Sequence, residues 1–356
     1  MSAEPTDPLA FDYNLGFRPS ADRSKSERAD RLANADKAMP FHIGFLDDCL
    51  RALLPHDLIL LGAATGVGKT ELARLIATAN AAKGKRVHYF ALEAEPNEIE
   101  RRIKFSILVD LMAANDFRVR GVFNYLDWYL GKFEGQLSEI GLDAEADAVF
   151  ASTFGNRLHT MYRGRQFNAS HIQKLFLAIQ DQTDLIVLDH LHYVDVDDDN
   201  ENRGLKKTIQ LIRDTSLSVG KPVILVAHLR KRDNRIKSIV PSLDDFHGSS
   251  DVVKIATRAI LLAPAFCERS PQKHIARTFM TCDKDRHGGA THMIACVDFD
   301  RRSRKYASNY TLGRQTKSGD KFEPLNMGEI PFWATRHQPL STPMDPTRFA
   351  AGKEWD

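Results

Sequence analysis

From Phe41 onward, short runs of consecutive apolar residues alternate with longer stretches whose apolar positions recur every three or four residues. A continuous apolar run suits a strand buried on both faces, and the longer recurrence suits a helix packed against it. The runs at 57–63 (DLILLGA), 86–92 (RVHYFAL), 184–191 (DLIVLDHL), 222–229 (PVILVAHL) and 258–263 (RAILLA) predict such strands. Helical patterns cover FLDDCLRALL, residues 69–83 and most of 96–180. RTFMTCDKDR followed by HMIACVDFD predicts a β-hairpin at the far edge of the sheet. The predicted fold class is α/β: a mostly parallel, twisted sheet flanked by helices on both faces, with a C-terminal edge hairpin.

The two ends differ from this core. Residues 1–40 are polar, with Pro5, Pro8 and Pro19 ahead of SKSERADRLANADKA, and predict a flexible arm followed by one short helix. Residues 41–312 form the predicted domain, and 313–356, polar and containing prolines, read as a loosely ordered tail. The aromatic positions Phe123, Tyr125, Trp128 and Tyr129 read as core or helix interface rather than as base-stacking platforms.

Composition narrows the picture only slightly. With 43% hydrophobic and 27% charged residues the chain is ordinary for a soluble protein, and a net charge of +2 leaves any nucleic-acid role to local clusters. Cys49, Cys267, Cys282 and Cys296 lie far apart without CxxC spacing, which argues against a zinc site and for a reducing compartment. No apolar run reaches the ~18 residues of a membrane span, and the N-terminus lacks the apolar core of a signal peptide, so the expectation is a cytoplasmic protein with no membrane partner.

The chemistry begins where the first strand meets the first long helix. The segment Ala63, Ala64, Thr65, Gly66, Val67, Gly68, Lys69, Thr70, followed by Glu71, has the strand-to-helix context of a phosphate-binding loop. Its glycines admit phosphates to the backbone N–H groups, Lys69 neutralises the β- and γ-phosphates, and the Thr70 hydroxyl suits Mg²⁺. Ala63 replaces the first glycine of the strict motif. Asp189 ends the LIVLD strand, so its carboxylate projects toward that loop and suits the Mg²⁺ shell. Glu93 ends RVHYFALE and can orient or deprotonate an attacking water, with Glu95 as its rival. ATP and Mg²⁺ are the implied ligands.

Between Phe41 and Tyr306 these segments resemble the ATPase domain of DnaB-type replicative helicases, including phage and mitochondrial ring helicases. In that family Ala also commonly opens the phosphate loop. The resemblance implies a RecA-like P-loop NTPase core, with ALEAEPNEIERR carrying the catalytic glutamate at Glu93 and LIVLDHLHYV carrying the metal-associated acid at Asp189. In VAHLRK, His228 stands where the family usually has a γ-phosphate-sensing glutamine. SLDDFHGSSD resembles the loop that tracks single-strand phosphates, implying DNA contacts at His247, Gly248 and Ser249, with His247 in place of an arginine and Ser250 in place of a glycine. CDKDRHGG resembles the Lys-x-Arg element, implying that Lys284 and Arg286 reach a neighbouring subunit's γ-phosphate. A finger supplied by a neighbour requires a homo-oligomer, by resemblance a ring and most simply a hexamer. The helix at 20–38 then suits a linker packing on an adjacent subunit.

The basic loop between the His228 strand and this DNA-loop motif holds Arg230, Lys231, Arg232, Arg235 and Lys237. It reads either as a contact with single-stranded DNA phosphates or as a solvated loop. The acidic stretch DVDDDNEN reads as solvated. Two functions follow: an ATP-driven ring helicase moving on single-stranded DNA in replication, with a helicase loader or replication partner, or a DNA-stimulated ATPase ring that recruits or regulates a partner without unwinding. A strand-exchange filament or clock-type ATPase is a third reading, disfavoured by CDKDRHGG.

Overall fold

The computed structural model describes residues 20–164, 167–195, 200–230, 238–246, 249–265 and 274–340. They fall into two units, divided between Ala38 and Met39. Within the first, helix α1 spans Ser20–Lys37. It buries none of its side chains and is braced by surface pairs Lys25–Asp22 and Arg31–Glu27 at 2.9 and 3.0 Å.

The second unit runs α2 (Gly44–Leu50), β1 (Leu58–Ala63), α3 (Lys69–Ala82), β2 (Val87–Ala91), α4 (Glu98–Ala114), α5 (Tyr125–Tyr129), α6 (Glu134–Glu139), α7 (Leu142–Phe154) and β3 (Leu158–Tyr162). It continues through α8 (Ala169–Ile179), β4 (Leu185–Asp189), α9 (Glu201–Val219), β5 (Val223–His228) and α10 (Ser249–Ile255). Strands β6 (Arg258–Pro264), β7 (Ile275–Asp285), β8 (Ile294–Asp300), β9 (Lys305–Tyr306), β10 (Thr311–Gln315) and β11 (Phe322–Pro324) complete it. The sheet order is β11-β10-β8-β7-β6-β1-β5-β4-β2-β3, with β9 on β8. From β6 to β3 every pairing is parallel, and from β6 to β11 every pairing is antiparallel.

The apolar runs are continuous because both faces are covered. Along β1, Ile59, Leu61 and Ala63 join the core that contains α3 and α4, while Leu58 and Leu60 join the core that contains α8, α9 and α10. The two-residue alternation of a strand serves two cores at once. Helix α3 docks through Leu72, Ala73, Ile76, Ala77 and Ala81, one stripe of its surface, which fixes the angle at which the phosphate loop enters it. The aromatic positions do pack: Phe105 meets Phe123, Tyr125 and Trp128 at ring separations of 5.2, 5.3 and 5.5 Å.

Three features differ from the sequence reading. Strand β3 lies inside the stretch that reads as helical; it pairs with β2, yet its residues are half-buried, so its pattern lacks an apolar run. The hairpin β7–β8 lies on the expected side of the sheet, but a second hairpin, β10–β11, forms the edge beyond it. The tail expected from residue 313 is therefore corrected as far as 340. Gly313 sits within β10, Phe322 is buried against Phe279, and Tyr310 and Arg336 bond Asp48 at 2.7 Å. Few apolar anchors suffice there because each strand edge bonds to the next. Residues 341–356 lie outside the described residues.

Among the described residues no helix is long and apolar enough to cross a membrane.

Candidate functional site

Parallel β1, β2, β4 and β5 end side by side, with Ala63 in register with His228 and Ala91 with Asp189. A cleft of about 760 Å³ opens at those ends, within the range of small-ligand sites. Thr65, Gly66, Val67, Gly68, Lys69, Thr70 and Glu71 line it with Glu93, Asp189 and His228. Arg277, Phe299, Arg301, Arg304 and Tyr306 form its other wall. Ala63 and Ala64 contribute carbonyls, which accept from Lys69 Nζ at 2.9 and 3.1 Å.

Gly68 has φ of 108° just before α3, a conformation that a side chain would oppose and that turns the chain from strand to helix. Gly62 is constrained differently: a Cβ there would stand 2.5 Å from Phe246 Cζ. The strand that carries the phosphate loop thus packs directly on the residue preceding His247. Residues on either side of the basic loop are also tied together, since Leu229 bridges Phe246 and Arg230 N–H donates to Asp245 O at 2.7 Å.

Asp189 is buried at the floor of the cleft. Tyr89 OH donates to its Oδ2 at 2.7 Å, Oδ1 is buried without a hydrogen-bond partner, and the Thr70 side chain lies near enough to lower the carboxyl's pKa. Burial, with Glu93 adding to it and Tyr89 and Thr70 opposing, raises the Asp189 pKa to about 6. An orphaned buried carboxylate oxygen beside a hydroxyl fits a hard divalent cation such as Mg²⁺. Above about pH 6 the unpaired charge costs stability, and below it a proton competes with the cation. Mg²⁺ binding at Asp189 is therefore expected to raise the Tm at about pH 7.5 and not at about pH 5; an equal gain at both would contradict this assignment.

Lys69 is buried, and its pKa is lowered by that burial, against the opposing pull of Glu93 and Asp189. Its third partner is His228 Nδ1 at 3.1 Å. Glu93 is 40% exposed in its side chain and faces the cleft, whereas Glu95 is 69% exposed and pairs with Arg101 at 3.5 Å. Of the two, Glu93 alone lines the cleft.

Glu71 faces the cleft, but three guanidiniums take its carboxylate. Arg74 Nη2 stands 2.5 Å from Oε1, Arg102 Nη1 stands 3.4 Å from Oε2, and Arg304 bonds it too. Burial would raise its pKa, yet Arg74, Arg304 and Arg102 outweigh burial and hold it at about 2. Its contribution is the placement of Arg102 and Arg304, two cations in the cleft that sequence reading misses because they arrive from α4 and from beyond β8. The stability it supplies is present above the usual glutamate range and lost as pH falls toward 2. Glu71→Gln should cost about 3 kcal/mol, the cost of leaving buried cations without their counter-charge, and should reduce the loss of stability in acid. Denaturant titrations at two pH values check both.

Lys284 and Arg286 lie elsewhere. β6 runs parallel to β1 and β7 antiparallel to β6, so Lys284, opposite Ala259, is at the strand-start end, away from the cleft. Lys284 Nζ donates to Val253 O at 2.5 Å, and Arg286 N–H donates to Thr257 O at 3.0 Å. Between them, Asp285 accepts from buried Arg258 at 2.8 Å. Neither cation reaches its own chain's phosphate loop.

Of the expected DNA contacts, Arg230 is exposed and Ser249 opens α10. Lys231, Arg232, Arg235, Lys237, His247 and Gly248 lie outside the described residues. So does Cys267; Cys49, Cys282 and Cys296 are buried. Among the described residues, one group has atoms spaced for a metal, Glu93, His190 and His228, within 4.8 Å of one another. His190 is fully buried and neutral, its pKa lowered to about 2 by burial and then by His228, His192 and Lys69.

The model of the family described as AAA domain matches residues 26–234. Curated protein sequences give no match. The structure resembles the ATPase domain of G40P with a TM-score of 0.65 at 14% identity, covering 82% of this chain and 99% of that one. It also resembles a DnaB-like replicative helicase, described with its interactions with primase, with a TM-score of 0.57 at 16% identity. That match covers 75% of this chain and 61% of the helicase. The chain belongs to the AAA domain family, with the RecA-like fold of DnaB-type helicase ATPase domains.

Proposed function

We propose that this chain is an ATP-hydrolysing subunit of a homo-oligomeric ring, most simply a hexamer, that moves on single-stranded DNA and separates duplex strands in replication. The observation that carries the reading is the placement of its two charged sets at opposite ends of the sheet. The phosphate loop, Glu93 and Asp189 face one way, and Lys284 with Arg286 face the other. A head-to-tail ring brings those ends together at every interface.

In this reading the N–H groups of residues 65–70 and the Lys69 ammonium bind the phosphates, and Glu93 takes the proton of the attacking water. Thr70 and Asp189 would hold Mg²⁺, which would supply charge neutralisation at the phosphates. His228, at the end of β5, lines the cleft and leads directly into Leu229 and Arg230, so the expected DNA loops begin within two residues of the site. Arg277, Arg301 and Arg304 add positive charge to the cleft.

A forked-duplex unwinding assay run beside DNA-stimulated hydrolysis tests this. Strand separation that depends on ATP supports the motor. Strong stimulation without separation would favour a ring that recruits or regulates a partner, the reading that His247 and Ser250 suggest in the DNA-loop motif. Alanines at Arg230, Lys231 and Arg232 should lower DNA affinity and reduce the salt slope by about 1 for each phosphate that is no longer neutralised. An unchanged slope would mean that this loop faces solvent.

A further inference from the structure

We propose that His190 is a positioning residue for hydrolysis, whose Nε2–H holds the Glu93 carboxylate in place for attack. The inference rests on the reading of Glu93 as the base and adds a residue that neither the motif nor the fold assigns.

A backbone neighbour sets the tautomer of His190. His192 N–H donates to His190 Nδ1 at 3.2 Å. A backbone N–H only donates, so Nδ1 presents its lone pair and, in the neutral ring, the hydrogen sits on Nε2. That Nε2 is buried without a hydrogen-bond partner, and Glu93 Oε2 is 3.7 Å away. The separation exceeds a hydrogen bond by less than 1 Å, and catalytic hydrogen bonds commonly tighten only when the substrate is bound. A buried donor without a partner, this close to a carboxylate oxygen, favours the conformation that closes the gap.

The ring itself has little freedom. His228 packs on it edge to face at 3.8 Å, with His192 and Tyr193 at 5.2 and 5.5 Å. Glu93, 40% exposed, is by contrast the less confined partner. A closely packed donor beside a less confined base is the arrangement that orients it.

The same atoms have metal-site spacing, but their hydrogens oppose that use. A metal needs a lone pair on the histidine nitrogen, and His190 Nε2 carries a hydrogen. His228 Nδ1 accepts from the Lys69 ammonium at 3.1 Å, a cation that would repel a second one.

The test compares wild type, Glu93→Gln, His190→Gln and His190→Met in DNA-stimulated ATP hydrolysis, with nucleotide affinity measured on a fluorescent ATP analogue. Glutamine keeps an N–H near the Nε2 position, while methionine keeps the bulk and loses the donor. His190→Met should lose about 100-fold in kcat, as for a base displaced by ~1 Å, with nucleotide affinity unchanged. His190→Gln should recover most of that loss. In the Glu93→Gln background, His190→Met should have no further effect. Full activity in His190→Met, or weakened nucleotide binding at unchanged kcat, would overturn the proposal. Tight Zn²⁺ inhibition abolished by His190→Met would also overturn it, in favour of a metal site. Full activity in Glu93→Gln would instead overturn the reading of Glu93 on which it rests.

Discussion

Lys69→Ala is expected to remove ATP hydrolysis, by at least about 10³-fold in kcat, and to weaken nucleotide binding. The ammonium is held on the Ala63 and Ala64 carbonyls and on His228, inside the turn through which the phosphates enter. Its charge acts in a buried place where few waters screen it, and this is where electrostatic stabilisation of a transferring phosphoryl group is strongest. Lys69→Arg should rescue little, because a planar guanidinium is larger and matches different geometry. Because the substitution also frees two carbonyls, the control is the variant's Tm. A variant that folds normally and hydrolyses ATP at the wild-type rate would show that the cleft is not the hydrolytic site.

Arg286→Ala is expected to lose hydrolysis by about 10³-fold or more while retaining nucleotide binding and ring assembly. The side chain projects from a turn that its surroundings hold firmly. Arg258, 1% exposed, bonds Asp285 at 2.8 Å and Asp57 at 3.2 Å, and its Nη2 donates to Leu50 O at 3.3 Å. His287 N–H donates to Asp285 at 3.2 Å, and Gly289 N–H donates to the same side chain. A Cβ at Gly289 would stand 2.3 Å from Asp285 Oδ2, so the turn closes only with glycine there. A six-residue strand places this turn roughly 20 Å from the phosphate loop of its own chain, beyond the reach of an arginine. An Arg286→Ala variant with wild-type kcat would show that Arg286 is no finger, and one that no longer assembles would make it an interface residue instead.

How far the sequence anticipates this structure varies with the kind of signal. Strands such as LIVLD and VILVAH are readable because burial on both faces leaves an unbroken apolar run. LHTMY in β3 and TLGRQ in β10 are not, because they sit toward the sheet's edges and their residues are mixed or half-buried. The phosphate loop is readable because its chemistry is local, needing a turn, a lysine and a threonine in succession. Asp189 is readable as a strand end, and Glu93 as lying two residues beyond one. Arg102, Arg304 and His190 are not, because a tertiary partner helps to place each: Glu71 for the arginines, and the His228 ring for the histidine. The separation of Lys284 and Arg286 from the cleft also needs the sheet, since only the antiparallel turn at β7 carries them to the other end.

If each hydrolytic site is shared between two copies, mixing two inactive variants tests that sharing most directly. Lys69→Ala lacks a phosphate loop that can act but keeps Arg286, and Arg286→Ala has the reverse defect. When the two are mixed in equal amounts and allowed to exchange into common rings, about a quarter of the interfaces regain both halves, and ATP hydrolysis should rise well above that of either variant alone. Mixed rings, verified by native mass measurement, that remain as inactive as the separate variants would contradict it.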